Sequence, residues 1–252
     1  MPYLVGGYPD LETSIAIART YVESGADLIE IGIPYSDPLA DGPVIQTAAT
    51  VALEGGIGTA EVFEVVASVA EEAPVILLAY AGLVLGGEGP GAFAERAVAA
   101  GVAGIVIPDL PLGTDEGIRE ELASAGLAVI PLVAPTTTTE RRREILDVAS
   151  GFVYLVSDVG TTGERGSLPE GLAGLIRTVS EEAPVPVAVG FGIGTPDQAA
   201  EVGRLADGVI IGSKLVSLAT DEGDSGHSLE RVGAFLTATA GALATSGRDG
   251  LR

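Results

Sequence analysis

Eight short runs of apolar, largely β-branched residues recur along this chain, and a stretch with helical periodicity follows each one. The runs are Tyr3–Gly6, Asp27–Ile33, Val75–Tyr80, Gly104–Pro108, Leu127–Leu132, Phe152–Ser157, Val185–Gly190 and Gly208–Gly212. Between them lie segments such as LETSIAIARTYVES, AEVFEVVASVAEE, GAFAERAVAA and TERRREILDVAS, with apolar residues three and four apart; LERVGAFLTATAGALA closes the series. Strands apolar on both faces and alternating with helices imply a parallel sheet. Eight such units in 252 residues predict an α/β fold, a single (β/α)8 TIM barrel occupying residues 1–252 as one domain. An open doubly wound sheet is the runner-up, weakened because no G-x-G-x-x-G follows the first strand. Asp10, Thr59 and Thr195 stand where helices should begin.

Composition removes several classes of function. The chain has no cysteine, which excludes disulfides and thiolate metal sites. Its one histidine, His227, lies in DEGDSGHS within the Gly-rich, acidic stretch Thr220–Ser228, read as a surface loop; no metal site is expected. No apolar run is long enough for a membrane span and MPYLVGGYPD has no secretory leader pattern, so a cytoplasmic protein is expected. The formal net charge of −22 repels phosphate backbones and argues against nucleic-acid partners. Lys214 is the only lysine. An acidic, lysine-poor surface suggests adaptation to high salt, with structure lost on dilution into low salt. The run Arg141–Arg143, between Glu140 and Glu144, reads as a solvated helix face.

The residue that stands out is Glu30, inside the second strand. In DLIEIGI, Leu28, Glu30 and Gly32 share one face and Ile29, Ile31 and Ile33 the other. The isoleucine face belongs against the outer helices, so Glu30 points into the barrel near the catalytic, C-terminal end of its strands. No lysine or arginine occurs in any of the eight runs, while Tyr80 and Tyr154 are within reach as hydrogen-bond donors. A buried carboxyl without a counter-ion has a raised pKa and suits acid/base chemistry. The loop that follows, YSDPLADGP, adds Asp37 and Asp41 on a backbone stiffened by Pro34, Pro38 and Pro43. Spacing does not choose between the two aspartates, although Asp37, directly before a proline, reads as a turn residue. Three Gly-rich segments, TTGERG (161–166), GFGIGTP (190–196) and IGSKLV (211–216), follow the last three strands, and the third opens a short helix at Ser213. Late βα loops of this kind hold phosphate through backbone N–H groups. The residues alone therefore predict a barrel enzyme using carboxylate acid/base chemistry on a small phosphorylated molecule.

Glu30, SDPLADGP, TTGERG, GFGI and IGS, in that order, resemble the tryptophan synthase alpha chain family over nearly the whole sequence; GYPD, PDLPL and YLVSDVGTTG add to the likeness. The resemblance implies a lyase that cleaves indole-3-glycerol phosphate by a retro-aldol step to indole and glyceraldehyde 3-phosphate in tryptophan biosynthesis. By position it implies Glu30 and Asp41 as the catalytic pair. It implies Gly163, Gly192, Gly212 and Ser213 as phosphate ligands, Tyr154 and Thr162 as lining residues, and Tyr3, Leu78, Tyr80 and Phe191 as the indole pocket. It also implies no cofactor in this chain and a pyridoxal-phosphate-containing beta chain as partner in an alpha2beta2 heterotetramer. The family usually carries a helix ahead of the first strand, which this sequence, starting almost at that strand, is expected to lack unless it precedes Met1. Tyr8 stands where the family usually has an acidic or small residue. A related barrel whose chemistry needs lysines at the mouth is disfavoured by the single Lys214.

Overall fold

The computed structural model describes residues 1–114, 116–156, 170–190, 192–220 and 225–246. Strands β1 (Tyr3–Val5), β2 (Ile29–Gly32), β3 (Val75–Leu78), β4 (Val102–Val106) and β5 (Ala128–Val129) pair in chain order as one parallel arc. A second parallel arc contains β6 (Leu132–Val133), β7 (Val153–Val156), β8 (Val187–Gly190) and β9 (Gly208–Ile210). The arcs close into a barrel where Tyr3 N–H donates to the Ile211 carbonyl at 2.9 Å and Ile211 N–H to the Met1 carbonyl at 3.1 Å. β5 and β6 are the two halves of the fifth expected strand, interrupted at Ile130–Pro131. Proline has no N–H for the ladder. The strand still serves both neighbours, because Ile130 N–H donates to the Ile105 carbonyl and the Pro131 carbonyl accepts from Tyr154 N–H, both at 2.9 Å.

The helices are α1 (Leu11–Glu23), α2 (Pro43–Glu54), α3 (Thr59–Ala67), α4 (Ala81–Leu85), α5 (Pro90–Ala99), α6 (Glu116–Ser124), α7 (Thr139–Asp147), α8 (Glu170–Glu182), α9 (Pro196–Gly203), α10 (Ser213–Ala219) and α11 (Ser225–Thr245). Asp10 caps α1 by accepting from Thr13 N–H at 2.9 Å, and Thr195 caps α9 by accepting from Gln198 N–H at 3.3 Å. The start of α3 differs from expectation: Gly58 is the cap, Thr59 is already helical, and Glu61 reaches back to accept from Gly58 N–H at 2.9 Å. α2 and α4 are not apparent in the sequence pattern. His227 also differs, lying in the first turn of α11 rather than in a loop, exposed and 3.9 Å from Glu230. No described helix is long and apolar enough to cross a membrane.

Packing separates two layers. Ile29, Ile31 and Ile33 are buried with the apolar faces of the helices in a large outer shell. Each such side chain contributes about 1.5–3 kcal/mol when fully buried. Inside the barrel, Ile76, Val106, Ile130, Phe152, Ala188 and Ile210 form a separate cluster joined by Leu28 and Tyr154. Leu28 thus falls on the inner face and the isoleucines on the outer one, as strand alternation requires. The Arg141–Arg143 run departs from a simple solvated face. Arg142 is buried and grips Glu182 at the end of α8 through two hydrogen bonds of 2.7 and 3.2 Å, while Arg141 pairs with Glu144 and also donates to the Leu112 carbonyl.

Candidate active site

Glu30 lies at the middle of β2, in register with Tyr3 on β1 and Ile76 on β3, and has no exposed surface. Neither carboxylate oxygen has a hydrogen-bond partner of good geometry. Burial pushes its pKa up to about 8; the nearby Asp41 adds to the rise, while the Met1 amino group and the Tyr154 hydroxyl oppose it. Glu30 is therefore largely protonated at neutral pH and can act as an acid.

Above Glu30 the barrel opens into a cavity of about 1030 Å³. Tyr3, Leu78, Val106, Leu132, Tyr154 and Ile210 line its lower part. Two glycines seat the tyrosines. A Cβ at Gly32 would collide with the Tyr3 hydroxyl, and one at Gly190 would sit 2.9 Å from the Tyr154 ring. Burial raises the pKa of both phenols well above the usual tyrosine value, so they remain neutral hydrogen-bond donors beside Glu30.

Asp41 enters from the rim on the β2–α2 loop and lines the same cavity, whereas Asp37 is exposed and does not. Of the two aspartates that spacing left open, it is Asp41 that meets the cavity. Asp41 Oδ2 accepts a hydrogen bond from the Tyr80 hydroxyl at 3.1 Å, and the same hydroxyl accepts from Ala40 N–H at 3.0 Å. Gln46, in the first turn of α2, donates to the Asp41 carbonyl at 2.8 Å. Burial raises the Asp41 pKa, and the bond from Tyr80 offsets part of that.

Across the mouth, Gly192, Gly212 and Ser213 line the cavity together with Lys214. Ser213 is the first residue of α10, as the sequence suggests, so the start of that helix faces the cavity. Of the remaining expected residues, Tyr3, Leu78 and Tyr154 are wall residues. Tyr80 is not: the chain leaves β3 at Leu78, and Tyr80 instead precedes α4, buried beneath the loop it holds. Thr162, Gly163 and Phe191 lie outside the described residues. Ile45, Ile193 and Gln198 also line the cavity and were not anticipated. Ile45 belongs to the unforeseen α2, and Gln198 carried no signal beyond its helix. Among the described residues no group of three His, Cys, Asp or Glu side chains is placed to hold a metal ion.

The sequence model described as tryptophan synthase alpha chain matches residues 1–242. The chain is 46% identical over 218 residues to a tryptophan synthase alpha chain of Carboxydothermus hydrogenoformans, covering 86% of this chain and 81% of the relative. It is 40% identical over 237 residues to that of Dehalococcoides mccartyi, with 93% and 91% covered. A solved tryptophan synthase structure from Mycobacterium tuberculosis superposes with a TM-score of 0.87 at 37% identity, covering 96% of this chain and 91% of the other. The alpha subunit from Legionella pneumophila superposes with a TM-score of 0.86 at 35% identity, with the same shares covered. With a barrel, an inward acid and this breadth of likeness together, the chain belongs to the tryptophan synthase alpha chain family.

Proposed function

We infer that the chain cleaves indole-3-glycerol phosphate to indole and glyceraldehyde 3-phosphate, and that Glu30 and Asp41 carry the chemistry. One observation bears most of the weight: a single cavity joins Tyr3 and Tyr154, the phenols beside the buried Glu30, to the Asp41 rim and the Gly192–Gly212–Ser213 rim. Breaking the carbon–carbon bond requires C3 of the indole to become tetrahedral, which places positive charge on the ring nitrogen. Glu30, protonated at neutral pH, delivers the proton to C3. The carboxylate so formed takes the proton of the glycerol hydroxyl as the bond breaks and the aldehyde forms, so no proton is gained or lost overall. Asp41 stabilises the charge at the indole N–H. Glu30 has no exposed surface in the described conformation, so substrate entry must open a path to it past Tyr3 and Tyr154.

The opposite rim supplies the phosphate contacts. Backbone N–H groups at Gly192, Gly212 and Ser213 and the Ser213 hydroxyl hold the anion, and Gly163 and Thr162 complete the site from the preceding loop. Tyr3, Leu78 and Phe191 flank the ring. The chain uses no cofactor of its own and works in the cytoplasm with a pyridoxal-phosphate beta chain, as an alpha2beta2 heterotetramer. The test is release of indole from indole-3-glycerol phosphate, measured with and without the beta chain. Each acid/base role is worth about 10²–10⁴-fold in rate, so Asp41→Asn should reduce turnover by that order. Turnover at the wild-type rate in Asp41→Asn would overturn the assignment.

A further inference from the structure

Tyr80 occupies an unusual position for a residue beside an active site: it is buried, outside the cavity wall, yet hydrogen-bonded to a residue that forms the wall. Its ring stacks on Tyr35 with centroids 5.0 Å apart and an interplanar angle of 16°. Gly82 leaves the space that the Tyr35 hydroxyl fills. The next residue, Ala81, donates its N–H to Asp109 at 2.8 Å, fixing the start of α4 to the loop after β4. The Tyr80 hydroxyl is thus held from the core side. It spends its acceptor on Ala40 N–H and its donor on Asp41 Oδ2. A hydroxyl used in both directions fixes a loop more tightly than either bond alone, because the backbone and the carboxylate cannot shift independently.

We propose that Tyr80 is the positioning residue of Asp41, setting where the loop acid stands and leaving its other oxygen for the substrate. This rests on the reading that Asp41 stabilises the indole N–H. The other ionisable groups facing this pair are Glu30, Tyr3 and Tyr154 around Asp41, and Asp109 beside Tyr80. Among the described residues Lys214 also lines this cavity, on the opposite rim, but the hydrogen bond that supports the Asp41 charge comes from Tyr80.

The bond favours the charged form, and its loss therefore raises the pH at which Asp41 gains a proton. Tyr80→Phe keeps the ring and its stacking and removes one oxygen. Its kcat is expected to fall about tenfold, with KM for indole-3-glycerol phosphate changing less than about threefold, because phosphate is held on the opposite rim. The acid limb of the kcat profile should move up by about half to one pH unit. Replacing Tyr80 with 3,5-difluorotyrosine, a stronger donor of the same shape, should move that limb the other way. In an Asp41→Asn background, Tyr80→Phe should cost less than about twofold more. An acid limb that stays in place in both Tyr80 variants, or a full multiplicative loss in the double variant, overturns the proposal. Wild-type turnover in Asp41→Asn would instead sink the underlying reading of Asp41.

Discussion

Replacing Glu30 with glutamine should abolish turnover and yet stabilise the fold, increasingly so as the pH rises. In the unfolded chain this carboxyl titrates near 4.5, whereas burial lifts it to about 8 in the native protein. A raised carboxyl binds its proton more tightly when folded, so its presence costs nothing well below the unfolded value. The cost grows as pH climbs through the window from 4.5 to 8 and then levels off. At 1.36 kcal/mol per pH unit, the penalty grows by about 3–4 kcal/mol between about pH 5 and about pH 8.5. Glutamine has nearly the same volume and never ionises. Urea unfolding of wild type and Glu30→Gln at both pH values isolates this effect, since the difference between the proteins cancels the titration of the remaining acidic surface. The midpoint gap should be small in acid and widest in base, while indole release stays absent in the variant at every pH. A gap independent of pH would show that the carboxyl is not desolvated, and surviving turnover would show that it is not the acid.

Two further outcomes follow from the packing. Gly190→Ala places a methyl group 2.9 Å from the Tyr154 ring, so Tyr154 must move; steady-state kinetics should show kcat reduced at least about tenfold, with a stability loss of about 1–3 kcal/mol in urea. Arg142→Ala strands the Glu182 carboxylate and opens space under α7. Because Glu182 is partly exposed, the cost should be about 1–3 kcal/mol in urea unfolding, with kcat and KM unchanged.

Much of the fold was legible because its strongest signal, apolar runs alternating with helices, repeats at every unit. Glu30 was legible for the same reason: a period of two has only two outcomes, and three isoleucines on one face decide it. The end of the third run was less legible: β3 stops at Leu78, so Tyr80, expected at the end of that strand, instead precedes α4. α2 is harder to read: Ile45, Ala48, Ala49 and Ala52 do stand at helical spacing, but three of the four are alanines and the larger Val44, Val51 and Leu53 lie exposed, which blurs the stripe. α4, at five residues, is too short to show a period. Arg142 was read as solvated because its partner Glu182 lies 40 positions away, and no local pattern connects them. That Asp41 and not Asp37 meets the cavity needed coordinates too, since it depends on where a proline-rich loop turns rather than on spacing.

The break at Ile130–Pro131 divides the working parts in a particular way. Glu30, Asp41 and Tyr80 all belong to the arc before the proline, and Tyr154, Gly190 and Gly212 to the arc after it. A molecule gripped by its phosphate on the later arc, with Tyr3 and Leu78 of the earlier arc against its ring, would tie one arc to the other on the side where β1 meets the end of β9. Occupancy would brace that closure, and product departure would release the brace.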